Sequence, residues 1–476
     1  MTIDNTEWFG QALGPPGPRG NHALAEDPVR PRIALVAFGR PTFDLEMARS
    51  LLGQSRAALE DLPVELVLSS DLLTSVDAAV AFGERLAKET LDAVICQFTT
   101  FVDARFVTAI ASCGSWPIVF WSLREPGQAP GSRLLLNSLT GANMAAQQLR
   151  RMRRWRALVL ANPGETALAE RLMPLLAAAA VRRHLSEVSI AVLGSAPDGF
   201  TFSDPSPENL ASIGVDVHFL DLERIFQDAA ALEPTEAATI ASRLKEQISG
   251  TDRVDSGQLD RAATLEAVVQ SRLEALGATA AAVRCWPEFF TTYGAAACSL
   301  VSSLNERGIA AACEADILGS VTMDILHRLA GGPPYLGDLV EVNEQDNVVV
   351  FWHCGAGAFS LASPSTGAQA GVHPNRQLGL TLEFALRAGR VTIARLGEWS
   401  GGLRLLIAGG EVLDRPQRFL GTAATVRLDG PTGSALHTVE RWIADGWEPH
   451  YALIYGDVRS ELIALGSMLE IPTCLG

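Results

Sequence analysis

Apolar and polar positions change rhythm twice along this chain. Residues 32–38 form a short, unbroken apolar run that stops at Gly39, and helical spacing follows over 43–59. The exchange then repeats, with strand-like 64–68, a helix over 74–88, a strand at 93–96, a helix from 104 and a strand at 117–121. Short apolar strands alternating with amphipathic helices describe a parallel sheet with both faces covered. A second cycle opens with the run 156–160 and passes through 189–194 and 215–220. It adds a helix over 258–275, a strand near 281–283, a helix over 294–306, the strand 309–312 and a helix over 318–330. It breaks at Gly331-Gly332-Pro333-Pro334, a turn-forming sequence. Beyond 335 the helical spacing nearly disappears. Runs at 348–352, 378–383, 390–396, 403–408 and 422–428 are separated by glycine-rich turns, and helical patterns return around 438–444 and 458–469. The pattern predicts an α/β protein: two Rossmann-like parallel α/β domains, at 31–145 and 146–332, then a mainly antiparallel, barrel-like β domain at 333–476. Residues 1–30, with Pro15-Pro16-Gly17-Pro18, read as a disordered N-terminal tail.

Composition narrows the function. A net charge of -16 repels a phosphate backbone, which excludes nucleic acid as a partner but does not exclude a neutral sugar. Lys88 and Lys245 are the lysines, and both fall on polar helix faces, so a desolvated Schiff-base lysine is a poor reading. The 7 cysteines are scattered through apolar runs without a Cys-x-x-Cys pair, which fits free buried thiols better than a disulfide framework or zinc knuckle. The first thirty residues lack the basic start and apolar core of a signal peptide, and no uncharged apolar run reaches about 18 residues. A cytoplasmic protein without a membrane partner is expected.

Acids and imidazoles collect at the ends of the predicted strands. Glu314 follows the run 309–312, Asp338 follows Pro334-Tyr335-Leu336-Gly337, His353 closes the run 348–352, and His450 lies in Trp447-Glu448-Pro449-His450-Tyr451. Strand ends facing a crevice are where α/β proteins place ligand-binding groups. Two carboxylates with one or two imidazoles suit a divalent cation such as Mn²⁺, and the carboxylates can also relay a proton. Each residue taken singly also has a plainer reading. A strand-end acid is commonly a helix cap or a loop charge, and His353 beside Trp352 and Cys354 reads as a core histidine.

Longer stretches carry a family resemblance. The segment from Pro449-His450-Tyr451 through Gly456-Asp457-Val458, running into Leu469-Glu470-Ile471-Pro472-Thr473-Cys474, resembles the C-terminal end of L-fucose isomerases. Cys313-Glu314-Ala315-Asp316-Ile317-Leu318-Gly319 and Pro334-Tyr335-Leu336-Gly337-Asp338 are similar to that family's segments bearing a metal-binding glutamate and aspartate. The resemblance is carried by residues 280–476 and is mostly architectural over 31–280. It implies that Glu314, Asp338 and His450 hold a divalent metal, Mn²⁺ first, with Co²⁺ or Mg²⁺ as alternatives. His353 is similar in placement to a further histidine ligand of the related L-arabinose isomerases. Arg40-Pro41-Thr42-Phe43-Asp44 resembles an early loop that reaches the sugar, and residues 97–101 resemble a loop placed near a neighbouring subunit's site.

What this implies is a metal-dependent aldose–ketose isomerase acting on an open-chain sugar through an enediolate. Glu314 and Asp338 are its expected catalytic carboxylates. Arg40, Phe101, Trp286 and Trp447 are expected to orient and cover the sugar, in a homo-oligomer with sites near subunit interfaces. A dinucleotide enzyme is disfavoured because Gly355-Ala356-Gly357-Ala358-Phe359-Ser360 lacks the third glycine and no convincing helix follows. The competing reading is a non-catalytic, intracellular sugar-binding protein of the same fold.

Overall fold

The computed structural model describes residues 2–3, 29–127, 129–430 and 433–476, so the tail expected at 1–30 lies almost wholly outside the described residues. The chain divides into two compact units, Val29–Arg183 and His184–Gly476, and the short strand β1 (Thr2–Ile3) goes with the latter.

In the first unit, β2 (Arg32–Phe38), β3 (Glu65–Leu73), β4 (Ala93–Phe98), β5 (Ile118–Ser122) and β6 (Arg156–Leu160) form a parallel sheet in the order β3-β2-β4-β5-β6. β4 and β5 are buried along their whole length, which explains their unbroken apolar sequences. Covering helices start where Asp44, Ser75 and Asp103 accept hydrogen bonds from backbone N–H groups of the first turn. The run 156–160 corrects the expected division at 146. It does not open a second domain but pairs with β5 as the outer strand of this first sheet, Ile118 opposite Arg156. Apolar periodicity says that a strand is covered, not which sheet it joins. Sheet order reverses between β2 and β4, and the crevice at such a switch point is bounded here by Arg40 and Phe101.

The second unit begins with another parallel sheet, β7 (Ser189–Leu193), β8 (Asp216–Leu220), β9 (Ala280–Val283) and β10 (Ala310–Cys313), in the order β10-β9-β7-β8. It continues into the β-rich region with β11 (Tyr335–Asn343), β12 (Val348–His353), β13 (Gln369–Gly371), β14 (Thr381–Ala385), β15 (Gly389–Trp399), β16 (Gly402–Val412), β17 (Thr422–Leu428), β18 (His450–Tyr455) and β19 (Thr473–Leu475). Six of these, in the order β16-β15-β18-β11-β12-β17, close into an antiparallel barrel when β17 pairs back onto β16. Closure leaves the six strands without a free edge. The interior is filled by Phe351, Ile393, Leu406, Val426, Trp442 and Leu453, all essentially inaccessible. The helix Ile317–Ala330 leaves β10 and packs on β15 and β18, which brings the end of the parallel sheet against the barrel. Among the described residues, no helix is long and apolar enough to cross a membrane.

Candidate active site

The site is built on the corner between β10 and the helix Ile317–Ala330. Glu314 and Ala315 both adopt left-handed backbone, with φ of 58° and 55°, which costs a non-glycine residue roughly 1–2 kcal/mol. Two hydrogen bonds hold the corner: Ala315 N–H donates to Val283 O at 3.0 Å, and Asp316 N–H to Cys313 O at 3.0 Å. Strain held in place by its surroundings marks functional corners. Asp316 then caps the helix, accepting from Gly319 N–H at 2.8 Å. The position at 319 needs glycine, because a Cβ there would collide with the Asp316 carboxylate.

Asp316 is fully buried and fully used. Arg395 on β15, itself buried, donates to it through both terminal nitrogens, at 2.5 and 3.1 Å. The remaining direction of its carboxylate is taken by His450 Nδ1, 2.9 Å from Oδ2. Burial opposes the charge on Asp316, but the Arg395 guanidinium and His450 outweigh it and hold the carboxyl well below the usual range. The arrangement fixes His450 with Nδ1–H donating and Nε2 directed away, the orientation in which a carboxylate prepares a histidine to ligate a metal.

His450 opens β18 and lies directly across from Asp338 in the β11–β18 ladder. Its Nε2 is 3.2 Å from Glu314 Oε2 and 3.6 Å from Asp338 Oδ1, yet it is buried without a hydrogen-bond partner. Burial alone would depress this imidazole. Its contacts with Asp316 and Glu314, and the charge of Asp338, push it up to about 10 instead. Three carboxylates around one ring demand a positive charge at this spot. Burial works against ionisation of Glu314 too, and His450 more than offsets it, so its carboxyl stays below the ordinary value. Trp286, just beyond β9, donates its indole N–H to Glu314 Oε1 at 3.1 Å. The edge of Phe202 closes over His450, with ring centroids 5.1 Å apart.

Ligand atoms of Asp338, His353 and His450 lie within 4.8 Å of one another, so distance alone admits all three to one cation. Hydrogen bonding separates them. His353 Nδ1 accepts the backbone N–H of Cys354 at 3.0 Å, so the neutral ring carries its proton on Nε2, a donor position. In His450 it is Nδ1 that is engaged, by Asp316, so Nε2 is the atom that becomes available as a ligand once its proton is displaced.

Glu314, Asp338 and His353 line a cavity of about 270 Å³. Trp286, Phe290 and Trp352 form its aromatic wall, and Arg376 stands over the rings of Trp286 and Phe290, 5.8 and 5.9 Å from their centroids. Such a mixture of apolar wall and a few convergent polar groups is typical of a small-molecule site.

Comparison with known proteins gives this geometry a family. The chain is 41% identical over 443 residues to the sulfoquinovose isomerase of Priestia megaterium, covering 93% of this chain and 98% of that protein. The sulfoquinovose isomerases of Alkalicoccus urumqiensis and of a Clostridium species are 39% and 36% identical, each over 92% of this chain and 98% of the relative. This chain belongs to the sulfoquinovose isomerase family. It is therefore an isomerase, which sets aside the non-catalytic alternative. No family model matches the chain.

Within this family member, the residues expected from the sequence fall into three groups. Glu314, Asp338, His450, His353 and Trp286 come together at one site. Arg40 and Phe101 come together in the other unit, the guanidinium 5.7 Å from the ring and Arg40 N–H donating to Thr100 Oγ1 at 2.8 Å. Trp447 does not line the cavity; it is packed against the barrel core with the Arg404 guanidinium 4.0 Å over its ring. Sequence reasoning missed Asp316, Arg395, Phe202 and Arg376. An Asp two residues after Glu314 and three before a glycine was a legible cap signal, but nothing local connected it to His450.

Proposed function

We propose that this protein is a metal-dependent aldose–ketose isomerase that converts sulfoquinovose into the corresponding 2-ketose, with chemistry like that of the L-fucose and L-arabinose isomerases. The observation that carries the reading is the convergence of Glu314 and Asp338 on the partnerless Nε2 of a buried His450 anchored by Asp316. The substrate follows from relatives named for it that match nearly the whole chain.

The donor set of two carboxylate oxygens and one imidazole nitrogen fits a divalent cation of the Mn²⁺ kind, with Co²⁺ and Mg²⁺ as further candidates. Glu314, Asp338 and His450 would hold it. When bound, the cation supplies Lewis acidity toward neighbouring sugar oxygens. The remaining steps belong to the protein's own side chains. Glu314 takes the proton from C2 of the open-chain aldose and returns it to C1. The Trp286 indole N–H orients the Glu314 carboxylate for that transfer. Asp338, whose side chain retains 33% exposure, moves the hydroxyl proton between O1 and O2. His353, whose Nδ1 accepts the Cys354 N–H, directs Nε2 into the site, where it donates to a sugar oxygen or joins Asp338 and His450 as a further ligand. By the same family resemblance, the loop 97–101 with Phe101 lies near a neighbouring subunit's site in a homo-oligomer, and Arg40 belongs to a loop that reaches the sugar. The seven cysteines are all free thiols, which suits a reducing cytoplasm.

The test is direct. Mn²⁺-loaded protein incubated with ¹³C-labelled sulfoquinovose should give the 2-ketose by NMR, EDTA should stop the conversion, and added Mn²⁺ should restore it. Unchanged turnover in EDTA would remove the metal from the reading, and absence of the 2-ketose would remove the substrate.

A further inference from the structure

The cavity has one feature that isomerisation between C1 and C2 does not use. Arg376 forms part of its wall, and among the described residues no carboxylate pairs with it. Such surroundings are unusual for a cation in a chain of net charge -16, where Arg284, two residues before Trp286, is held by Glu288 at 2.9 Å. Arg376 is also presented by an anchored loop. His373 N–H donates to Leu378 O at 2.9 Å, Gln377 N–H to His373 O at 2.8 Å, and Gly379 N–H to Gln258 Oε1 at 2.6 Å. The edge of His373 packs on Phe290 with centroids 4.9 Å apart. A Cβ at Gly379 would run into Val254, so this glycine lets the loop seat against the chain leading into the helix Ser256–Leu276.

The position of Arg376 relative to the carboxylates is what gives it meaning. Trp286 touches both groups: its indole N–H meets Glu314, and its ring carries the Arg376 guanidinium. A sugar with its carbonyl end at Glu314 and Asp338 and its chain along Trp286 therefore extends toward Arg376. The carboxylates at the reacting end repel an anionic substrate, so a negative group is tolerated at the far end if a fixed cation faces it. A guanidinium presents parallel N–H donors that match a tetrahedral oxyanion, and stacking on aromatic rings leaves those donors free.

We propose that Arg376 is the specificity-determining residue that binds the anionic group on C6 of the substrate, the sulfonate of sulfoquinovose, and so sets the direction in which the sugar lies. This rests on the substrate assigned above, and the test keeps the two separable. Binding to Mn²⁺-loaded protein is measured by calorimetry for sulfoquinovose, glucose 6-phosphate and the uncharged 6-deoxy analogue quinovose, in wild type, Arg376→Ala and Arg376→Lys, with kcat/KM measured in parallel. A charge-assisted contact of this kind predicts that wild type prefers sulfoquinovose to quinovose by about 10- to 100-fold. Arg376→Ala should erase that ratio, Arg376→Lys should keep part of it, and added salt should shrink it in wild type. Equal affinity for the charged and uncharged sugars in wild type, or an unchanged ratio in Arg376→Ala, overturns the proposal. Preference for glucose 6-phosphate over sulfoquinovose overturns the sulfonate assignment. Arg376-dependent binding of sulfoquinovose without turnover supports the anion site while refuting the isomerase substrate, and turnover of sulfoquinovose without Arg376 dependence does the reverse.

Discussion

Replacing Asp316 by Asn separates the two duties of this buried carboxylate. Asn keeps the size and still caps the helix Ile317–Ala330, so the change in capping is a few tenths of a kcal/mol at most. The charge is the larger loss. Arg395 is fully buried, and removing its partner leaves an uncompensated guanidinium, a change that costs about 3–5 kcal/mol. Glu448 Oε2, 3.8 Å from Arg395 Nε, offers partial compensation and places the expected loss toward the lower end of that range. The bond to His450 Nδ1 also weakens, since a neutral acceptor gives roughly half the strength of a charged one. The prediction is a loss of about 3 kcal/mol in the unfolding free energy of metal-free protein, measured by urea titration. Mn²⁺ affinity, measured by competition with a chelator, should fall about 10- to 100-fold, the usual effect of losing a group that orients a ligand. Adding Arg395→Met should recover most of the stability but none of the Mn²⁺ affinity. A single mutant as stable as wild type, or one that holds Mn²⁺ normally, would refute the reasoning that one carboxylate supports both the ion pair and the histidine.

Two further substitutions test neighbouring claims. Trp286→Phe keeps the aromatic wall but removes the donor to Glu314 Oε1, so kcat should fall about tenfold with little change in stability; an unchanged kcat would mean that the indole N–H does not orient the base. Trp447→Phe should lower stability by about 1 kcal/mol through poorer packing under Arg404 and leave kcat/KM per folded molecule unaltered; a selective rise in KM would return Trp447 to the sugar site.

The sequence made the architecture readable where local chemistry decides it. Apolar runs such as 93–96 and 117–121 announce covered parallel strands, and the glycine-punctuated runs after 335 announce antiparallel ones. Partner choice is not local, so the apolar run 156–160 shows that the strand is covered but not that it pairs with β5. The same distinction runs through the site. Glu314, Asp338 and His450 were accessible because each closes or opens an element and sits in a family-like segment. Asp316 was hidden because its meaning depends on Arg395, 79 positions away, and on His450, 134 positions away. Trp447 stands three residues before His450. Strand β18 starts at His450, so the ring before it turns into the barrel packing and not into the cavity. Placement at a strand end marks His353, and the hydrogen bond that decides its tautomer comes from the backbone of the very next residue.

The central claim is that Glu314 carries a proton between C2 and C1 beside a cation held with Asp338 and His450. Isomerisation of sulfoquinovose by Mn²⁺-loaded protein in D₂O tests it most directly, with the product analysed by NMR and Glu314→Gln run beside wild type. A proton carried on a carboxylate exchanges with solvent for part of its lifetime, so wild-type product should contain deuterium at C1. Glu314→Gln should form neither labelled product nor ketose while still binding the sugar. Product formed in D₂O without any label, or normal turnover by Glu314→Gln, would contradict the claim and point to a hydride shift instead.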